Sequence, residues 1–594
     1  MKIEKLLLGL FASFLMVGCS QNDDAPNASE EAKGKDSYVS VNIISRTDAS
    51  RAAEFEYGQG VENKVNSAYF FFFKADGTPY QLVQGDASYK VEDSGATISG
   101  TATHNWLYFS QFNVAGTQST GTPVGSVEKI LSAVLVFDGV DTEMPDKMTV
   151  VLNAPSSLMS SYQAGVHLST LVDNVLLDEG TAISTTGEGN FVMSNSVYQG
   201  DNGILQATSI AGKALESAEL AIANPVNVYV ERLAAKVSVK ALDATDLISG
   251  QELNSAGDAL KVNGVRVNGD NVYAKILGWD LNTTINKSYL LKHLSANATY
   301  LGFDAVNPGE NITNPWNDAF NHRSYWAETP ASGVTYDKTF AWHDIKNLLD
   351  TGVDYCLENT SGTSTKIIVA ARLVNQSGDP LTVAQWMAEY YVPTAGGSGN
   401  PTWDGPSSLL AAVANSLGLY YNDNGTWRQI TGHQLEIVPL YGTKDNPSGN
   451  AKDYYKVKFA LNSTITANSI KWRAAETAEA AAAATDLAND AAVNAIIGKV
   501  APAKVWQEGA AYYFTALEHV NGEDAVVRNH HYVVSISGVN GLGTPVYYPD
   551  SYTPENPTIP QIPEPVIPDD EIFLSAKINV LSWRLVDNNV VLGQ

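Results

Sequence analysis

A chain of 594 residues with 44% hydrophobic side chains is long enough for two to four domains with sizeable cores, and we expect two. Only 17% of the residues are charged and the formal net charge is −27, which argues against nucleic acid as a partner and against attraction of the body to an anionic lipid surface. We expect the net charge to serve solubility.

Residues 1–18 are typical of a secretory signal peptide. Lys2 and Lys5 precede an apolar run that is too short to cross a membrane as a helix. The run ends in LMVGC, which resembles a bacterial lipobox, so we expect Cys19 to be acylated and to begin the exported lipoprotein. Cys356 is then unpaired, and stability must come from packing. The alternative is an ordinary signal peptide with an incidental cysteine.

A short strand follows at residues 38–44 (YVSVNII), with Val39, Val41 and Ile43 on one face. The polar stretch 45–53 comes next and places Arg46 and Arg51 among small residues, where a trypsin-like protease could cut. Cleavage there would free the lipidated strand from everything that follows. The alternative is an ordinary solvated loop.

Along the body, short alternating segments are separated by turn-forming residues, which favours β-sandwiches. The clearest strand candidates are 67–73, 130–137, 147–152, 226–230, 234–241, 366–373, 434–438 and 454–459. A domain boundary falls most naturally near Asn224 and Pro225; the charges of Arg232 and Lys236 beyond it are expected to protect a sheet edge. The alanine-rich stretch 473–497 has no Gly or Pro and is predicted to be a helical surface insert.

No catalytic, cofactor or metal-binding pattern is apparent. The chain lacks G-x-S-x-G, H-E-x-x-H, P-loop and C-x-x-C spacings, so we expect neither an enzyme nor a cofactor or metal site. His530 and His531 should face opposite sides of a strand, one packed in the sheet and one exposed, and residues 422–425 (NDNG) predict a turn. Five aromatic residues could form a glycan-stacking platform, although core positions are more usual: Trp326, Trp342, Trp427, Tyr420 and Tyr421.

The C-terminal end carries a strong strand signal behind a stiff linker that is rich in proline and acid. One face holds Ile572, Leu574, Ala576, Ile578 and Val580, and the phase then flips to Leu581, Trp583 and Leu585. A bulge or two consecutive strands would give this flip. Such a segment either docks on its own sheet or is offered to another molecule by β-augmentation.

Several stretches spread over nearly the whole length form a set that is specific only in combination. They are Arg51 and Ala52 followed by Phe55, Gly58, Glu62, Val65 and residues 69–73; FVMSNSVY at 191–198; VERLAAKV at 230–237; RSYWA at 323–327; YCLENT at 355–360; NHHY at 529–532; GLGTP at 541–545; and AKINVLSW at 576–583. With this set the chain resembles the major fimbrial subunits of Bacteroidales, the fimbrilins of type V pili, in particular those of the short-fimbria kind.

The resemblance implies a mainly β fold with two transthyretin-like β-sandwich domains. Its divisions are a signal peptide at 1–18, a lipidated propeptide with a self-complementing strand at 19–51, an N-terminal sandwich at 52–225, a C-terminal sandwich at 226–567 with the helical insert at 473–497, and a donor strand at 568–594. An Arg-specific protease is expected to cut between Arg51 and Ala52, with Arg46 as the second choice. Polymerisation then follows by C-terminal strand donation between copies of the chain.

The implied function is a pilus-shaft subunit that serves adhesion and biofilm formation, with its precursor anchored in the outer membrane. Its implied partners are further copies of itself, minor anchor and tip subunits, the maturation protease, and surface ligands of a host or of other bacteria. The alternatives are a surface glycan-binding lipoprotein and a fimbrial tip or accessory subunit.

Overall fold

A computed structural model gives the arrangement of most of the body and of the C-terminal end. The described residues are 37–45, 58, 60–82, 92–93, 96–97, 101–110, 129–137, 144–162, 164–184, 190–200, 203–215, 218–224, 226–240, 242, 244, 247–294, 327–332, 334–337, 352–360, 363–395, 401–440, 456–463, 470–519, 525–545, 579–582 and 584–592.

The strands fall into three groups along the chain. Up to Leu233 they are β1 (Ser37–Ser45), β2 (Ala68–Phe73), β3 (Glu92–Asp93), β4 (Ala96–Thr97), β5 (Thr101–Thr103), β6 (Trp106–Phe109), β7 (Lys129–Phe137), β8 (Lys147–Leu152), β9 (Leu176–Asp178), β10 (Ile183–Ser184), β11 (Asn190–Phe191), β12 (Met193–Asn195), β13 (Tyr198–Gly200), β14 (Gly203–Leu205), β15 (Thr208–Ser209) and β16 (Val226–Arg232). The next group is β17 (Ala234–Val239), β18 (Leu260–Val267), β19 (Asp270–Asn282), β20 (Thr284–Ile285), β21 (Lys287–Tyr289), β22 (Tyr336–Asp337), β23 (Asp354–Leu357) and β24 (Lys366–Val374). The last is β25 (Val383–Trp386), β26 (Glu389–Tyr391), β27 (Thr394–Ala395), β28 (Pro401–Thr402), β29 (Leu419–Asp423), β30 (Thr426–Gln429), β31 (Leu435–Pro439), β32 (Lys456–Leu461), β33 (Trp472–Ala474), β34 (Ala503–Trp506), β35 (Ala510–Ala516), β36 (His530–Asn540), β37 (Thr544–Pro545), β38 (Asn579–Ser582) and β39 (Arg584–Leu592).

Helices within the described ranges are short. The α-helices are α1 (Leu168–Asp173), α2 (Glu179–Ala182), α3 (Ala218–Ala223), α4 (Leu409–Leu417), α5 (Ala478–Ala483) and α6 (Asp490–Ile497), and the 3-10 helices are Gly60–Asn63, Gly432–Gln434 and Gln507–Gly509. The mainly β class predicted from the sequence is therefore confirmed. In the part of the chain that the structure describes, no helix has the length and apolar character needed to cross a membrane.

The first large sheet runs in the order β5-β6-β2-β8-β12-β16-β1-β7, with β15 also paired to β8. Its strand β2 has the sequence AYFFFF and is buried at every position, because the sheet is covered on both faces. Phe70 and Phe72 enter the core on one side, whereas Tyr69, Phe71 and Phe73 enter a second core on the other. Alternation along a strand thus fills two cores at once.

The second large sheet runs in the order β23-β17-β36-β18-β19-β24-β35-β37, and β38 and β39 join it at β36. Its core contains Val237, Val369, Tyr513 and Tyr532. Strand β16 pairs with β12 and β1 of the first sheet, whereas β17 pairs within the second. The chain therefore passes from the first sheet to the second at Leu233, after 226–232 has completed the first sheet. The domain boundary near Asn224 and Pro225 stays a prediction.

A smaller sheet, β26-β25-β34-β32-β31, lies between β24 and β35 in sequence and has its own core. Helices α4 and α6 contribute to that core, with Val413, Val493 and Ile497 all fully buried. The alanine-rich stretch was expected to be one helical insert on the surface with a thin apolar face. It instead begins in β33 and forms two helices, and Val493 and Ile497 pack inward from the second one.

Two capping residues and one arginine explain the division of this stretch. The side chain of Thr477 accepts the backbone N–H of Ala480 at the start of α5, and that of Asn489 accepts the N–H of Ala492 at the start of α6. Arg473 donates to the carbonyls of Ala481 and Ala482 at the end of α5, at 2.8 Å each. The high helix propensity of alanine is thereby interrupted by local hydrogen bonds.

Candidate strand-exchange site

Strand β1 is an internal strand of the first sheet, although it precedes the stretch in which the sequence predicts cleavage. All nine of its residues align antiparallel with β7, from Ser37 opposite Phe137 to Ser45 opposite Lys129. On its other side it runs parallel to β16, with Val41 opposite Val226 and Ile44 opposite Tyr229. The chain segment of the predicted propeptide therefore separates two strands of the body.

The predicted propeptide residues Val39, Val41 and Ile43 all lie on β1, opposite Leu135, Ala133 and Leu131 of β7. The sheet around them rests on a packed core in which Leu135 and Val228 have no exposed surface. Helix α3 lies against β1 as well. We call the position of β1 between β7 and β16 the strand slot.

Emptying the slot would expose the inner edges of β7 and β16. Each edge is a row of backbone N–H and C=O groups whose partners now belong to β1. Exposed strand edges of this kind pair with other extended chains. The slot could therefore bind a second strand in place of β1.

The described residues of the C-terminal end form two consecutive strands, one of the two arrangements that the sequence pattern allowed. Strands β38 and β39 are antiparallel, with Val580 opposite Leu585 and Leu581 opposite Arg584. Strand β39 runs parallel to β36 from His531 opposite Leu585 to Val539 opposite Leu592. Of the two options that the sequence left open, this structure has the terminal hairpin docked on its own sheet.

The other residues named by the sequence for lipidation, cleavage and donation lie outside the described residues. They are Cys19, Arg46, Arg51, Ala52, Ile572, Leu574, Ala576, Ile578 and Trp583. The same holds for Trp326 and Trp342 of the proposed aromatic platform. The roles assigned to these residues stay predictions.

Charged side chains are buried beside β36, which the sequence reading missed. Arg528 has no exposed surface; its Nε donates to Glu358 Oε1 at 3.0 Å, and its Nη2 donates to the carbonyl of Tyr289 at 2.8 Å. Lys292 Nζ lies 3.0 Å from Glu231 Oε1, and both side chains are buried. Burial raises the pKa of Glu231, and the neighbouring Lys292 ammonium opposes that shift.

Two expectations about individual side chains were wrong. Arg232 and Lys236 were expected to protect a sheet edge, yet both are buried where the chain passes from β16 to β17. One of the two adjacent histidines was expected to be exposed, yet His530 and His531 are both buried. His530 Nδ1 lies 2.7 Å from the carbonyl of Arg528, and His531 Nε2 lies 2.8 Å from Ser238 Oγ.

Residues 422–425 form a turn, as predicted: Asn424 and Gly425 have φ values of 49° and 90° and join β29 to β30. Nearby, Arg473 lies 4.4 Å above the ring of Trp427. Tyr421 packs against Trp472 at 5.7 Å between ring centroids. Tyr421 and Trp472 belong to the core that α4 and α6 share with the smaller sheet.

Within the described ranges, no group of three or more His, Cys, Asp and Glu side chains could hold a metal ion. Cys356 is a free, buried thiol on β23, opposite Ala235. Burial raises its pKa well above the ordinary value, so the thiol stays protonated.

No protein-family model matches the chain, and no curated protein matches it. Among solved structures, a candidate cell adhesion protein from Bacteroides eggerthii is 10% identical at a TM-score of 0.32, covering 94% of this chain and 98% of its own. A tip fimbrial protein from Porphyromonas gingivalis with a C-terminal truncation is 12% identical at a TM-score of 0.25, with 84% and 95% covered. A fimbrial assembly protein from Parabacteroides distasonis is 10% identical at a TM-score of 0.25, with 57% and 83% covered. At these scores the likeness establishes neither the fold nor the function of this chain.

Proposed function

We propose that this chain is a shaft subunit of a cell-surface fimbria, exported as a lipoprotein through Cys19, cut after Arg51 and polymerised by strand exchange. The observation that carries the proposal is that β1, which precedes the predicted cut, is an internal strand between β7 and β16. A segment destined for removal that fills the middle of a sheet leaves a slot of its own shape. The resemblance of the sequence to fimbrilins points in the same direction.

In the uncut precursor, β1 covers edges that would otherwise aggregate. The cut removes the covalent tie between β1 and the body, so β1 is then retained by noncovalent contacts, which among the described residues include the pairing with β7 and β16 and the contact with α3. A strand from another copy can then enter. Each apolar side chain that it buries contributes about 1.5–3 kcal/mol, less the cost of ordering the incoming tail.

The entering strand is the C-terminal segment of a second copy. On its own subunit β39 pairs with β36 along one flank, and β38 covers only 584–586 of the other flank among the described residues. The strand slot offers a neighbouring strand on both flanks. Exchange therefore adds a second hydrogen-bonded flank, and because donor and acceptor are different surfaces it builds an open head-to-tail filament.

The proposal assigns no catalytic step to the chain. It places the precursor in the outer membrane and the mature subunit in the fimbrium, together with minor anchor and tip subunits and an Arg-specific protease. Adhesion to host or bacterial surface ligands and biofilm formation are the roles of the assembled filament.

The test is the N-terminal residue of the protein recovered from the cell surface. We expect Ala52, and we expect a fatty-acid label on the full-length form alone. An Arg46→Ala, Arg51→Ala double variant should remain a folded, membrane-attached monomer because β1 still fills the slot. Filaments from that variant, or lipid on the polymerised form, would rule out the cleavage step and favour a permanently anchored binding lipoprotein.

A further inference from the structure

The first described residues after the predicted cut converge on one buried carboxylate. Gly58 is buried, and the 3-10 helix Gly60–Asn63 follows it. Within that helix Glu62 is only 2% exposed. A charged side chain is rarely this deeply buried unless it is paired.

Glu62 is bound by three side chains from other strands. Its Oε1 lies 3.1 Å from Lys236 Nζ and accepts the hydroxyl of Tyr355. Its backbone carbonyl accepts Arg232 Nε at 2.8 Å. All three donors reach it from positions far along the chain.

These donors connect the two large sheets. Lys236 on β17 and Tyr355 on β23 are directly opposite each other in the second sheet, so Glu62 caps a cross-strand pair there. Arg232 ends β16, the strand that forms one wall of the slot, and its Nη1 donates to Asn529 Oδ1 at 3.1 Å, just before β36. Glu62 thus joins the N-terminal lead, the slot wall and the second sheet.

The contacts of Glu62 matter more for holding the N-terminal end of the chain once the cut has been made. Before the cut, residues 46–57 join β1 to the 3-10 helix, so the segment is held at both ends by paired structure. After the cut the mature chain begins at Ala52, and Glu62 is the first buried charge among the described residues that follow. A tail pinned at one end regains conformational entropy that a closed loop does not have.

We propose that Glu62 is a positioning residue for strand exchange: it clamps the cut end of the mature chain to the second sheet and, through Arg232, keeps β16 in place as a wall of the emptied slot. This rests on the proposed function, since it assigns a role to the body after cleavage.

The test is amide hydrogen exchange on the full chain before and after a cut with an Arg-specific protease. The reporters are the amides of Lys64, which donates to Val61 O at 3.3 Å, and of Asn66, which donates to Asn153 Oδ1 at 2.7 Å. In the wild type we expect each reporter amide to exchange at the same rate before and after the cut. In Glu62→Gln we expect exchange to rise about tenfold or more on cutting, since a buried hydrogen bond to a charged group is lost.

Glu252→Gln is the matched control, because Glu252 is 58% exposed and pairs with Lys261 at 3.0 Å on the surface. It should behave as the wild type. If Glu62→Gln does not fold, the double variant Glu62→Gln, Lys236→Met removes the stranded cation and should show the same rise. If the exchange rate after the cut divided by the rate before it stays at one in a folded variant, the proposal is overturned.

The outcome is separable from that of the proposed function. If the protein is not cut at Arg46 or Arg51, the maturation pathway fails, but a site for another protease placed within 46–57 gives the same nicked chain and the same ratio. Anchoring by Glu62 is then accepted or rejected on that ratio alone.

Discussion

At the residue scale, the buried charged side chains show why the local sequence pattern did not predict their burial. VERLAAKV reads as an apolar strand interrupted by charges, and such charges usually protect an edge. The buried guanidinium of Arg232 donates a hydrogen bond to the carbonyl of Glu62, which lies 170 residues earlier in the chain. The partner of Arg528, Glu358, is likewise 170 residues away. Periodicity carries no information on contacts at this separation, so these side chains could not be placed from sequence.

Arg528→Lys tests the cost of losing a planar, multiply bonded cation. A lysine cannot reproduce the bonds to both Glu358 Oε1 and the carbonyl of Tyr289, so one of these buried acceptors loses its side-chain donor. We expect the free energy of unfolding to fall by about 1–3 kcal/mol, measured by urea denaturation.

Arg428→Lys is the control, since the Arg428 side chain is 58% exposed and its ion pair with Asp423 lies on the surface. That variant should change stability by less than about 1 kcal/mol. Equal effects of the two substitutions would refute the role given to Arg528.

At the element scale, the sequence anticipates strands whose residues are uniformly apolar or alternate cleanly. β2, β8, β16, β24 and β31 each lie within two residues of their predicted bounds. The prediction of one helix for the alanine-rich stretch was wrong, because the helix caps at Thr477 and Asn489 outweigh the helix propensity of alanine. The placement of β1 also needed the structure, since alternation does not tell an internal strand from an edge strand.

Deleting residues 571–594 tests the docking of the terminal hairpin. β39 is aligned with β36 from His531 to Val539, and its removal opens that flank of the second sheet. We expect the melting temperature of the monomer to fall by about 2 °C, for a loss of about 2 kcal/mol in a chain of this length. The control is a full chain with Lys577→Ala, which keeps the hairpin and should melt as the wild type does. An unchanged melting temperature in the deleted form would mean that the hairpin adds nothing to its own subunit.

At the scale of the whole molecule, the two large sheets are joined by more than the chain at Leu233. Strand β21 of the second half pairs with β9 of the first, and Lys292 just beyond it forms a buried pair with Glu231. The sequence supported two large β units, but it did not reveal the inserted sheet with its own core. That core is assembled from short segments scattered between Val383 and Trp506, each too brief to read as part of a unit.

Val580→Asp tests filament formation by the terminal segment. Val580 belongs to the apolar face of the sequence pattern, and burying an unpaired carboxylate in an apolar slot costs on the order of several kcal/mol. We expect the ladder of oligomers on unheated detergent gels to disappear. Asn579→Asp adds the same charge at the next residue and should leave most of the ladder; loss of the ladder in both variants, or in neither, would contradict donation through this face.

The two walls of the strand slot also run in opposite directions. One wall, β16, runs parallel to β1 and the other, β7, runs antiparallel to it. Parallel pairing needs evenly spaced, slanted bonds, whereas antiparallel pairing needs alternating narrow and wide ones. A guest inserted backwards would have to pair antiparallel with β16 and parallel with β7, so the hydrogen-bond pattern would change on both walls. We therefore expect a peptide with the sequence of β1 to insert in one direction, with its N-terminal end beside Phe137, and a label at either end of the peptide would report that direction.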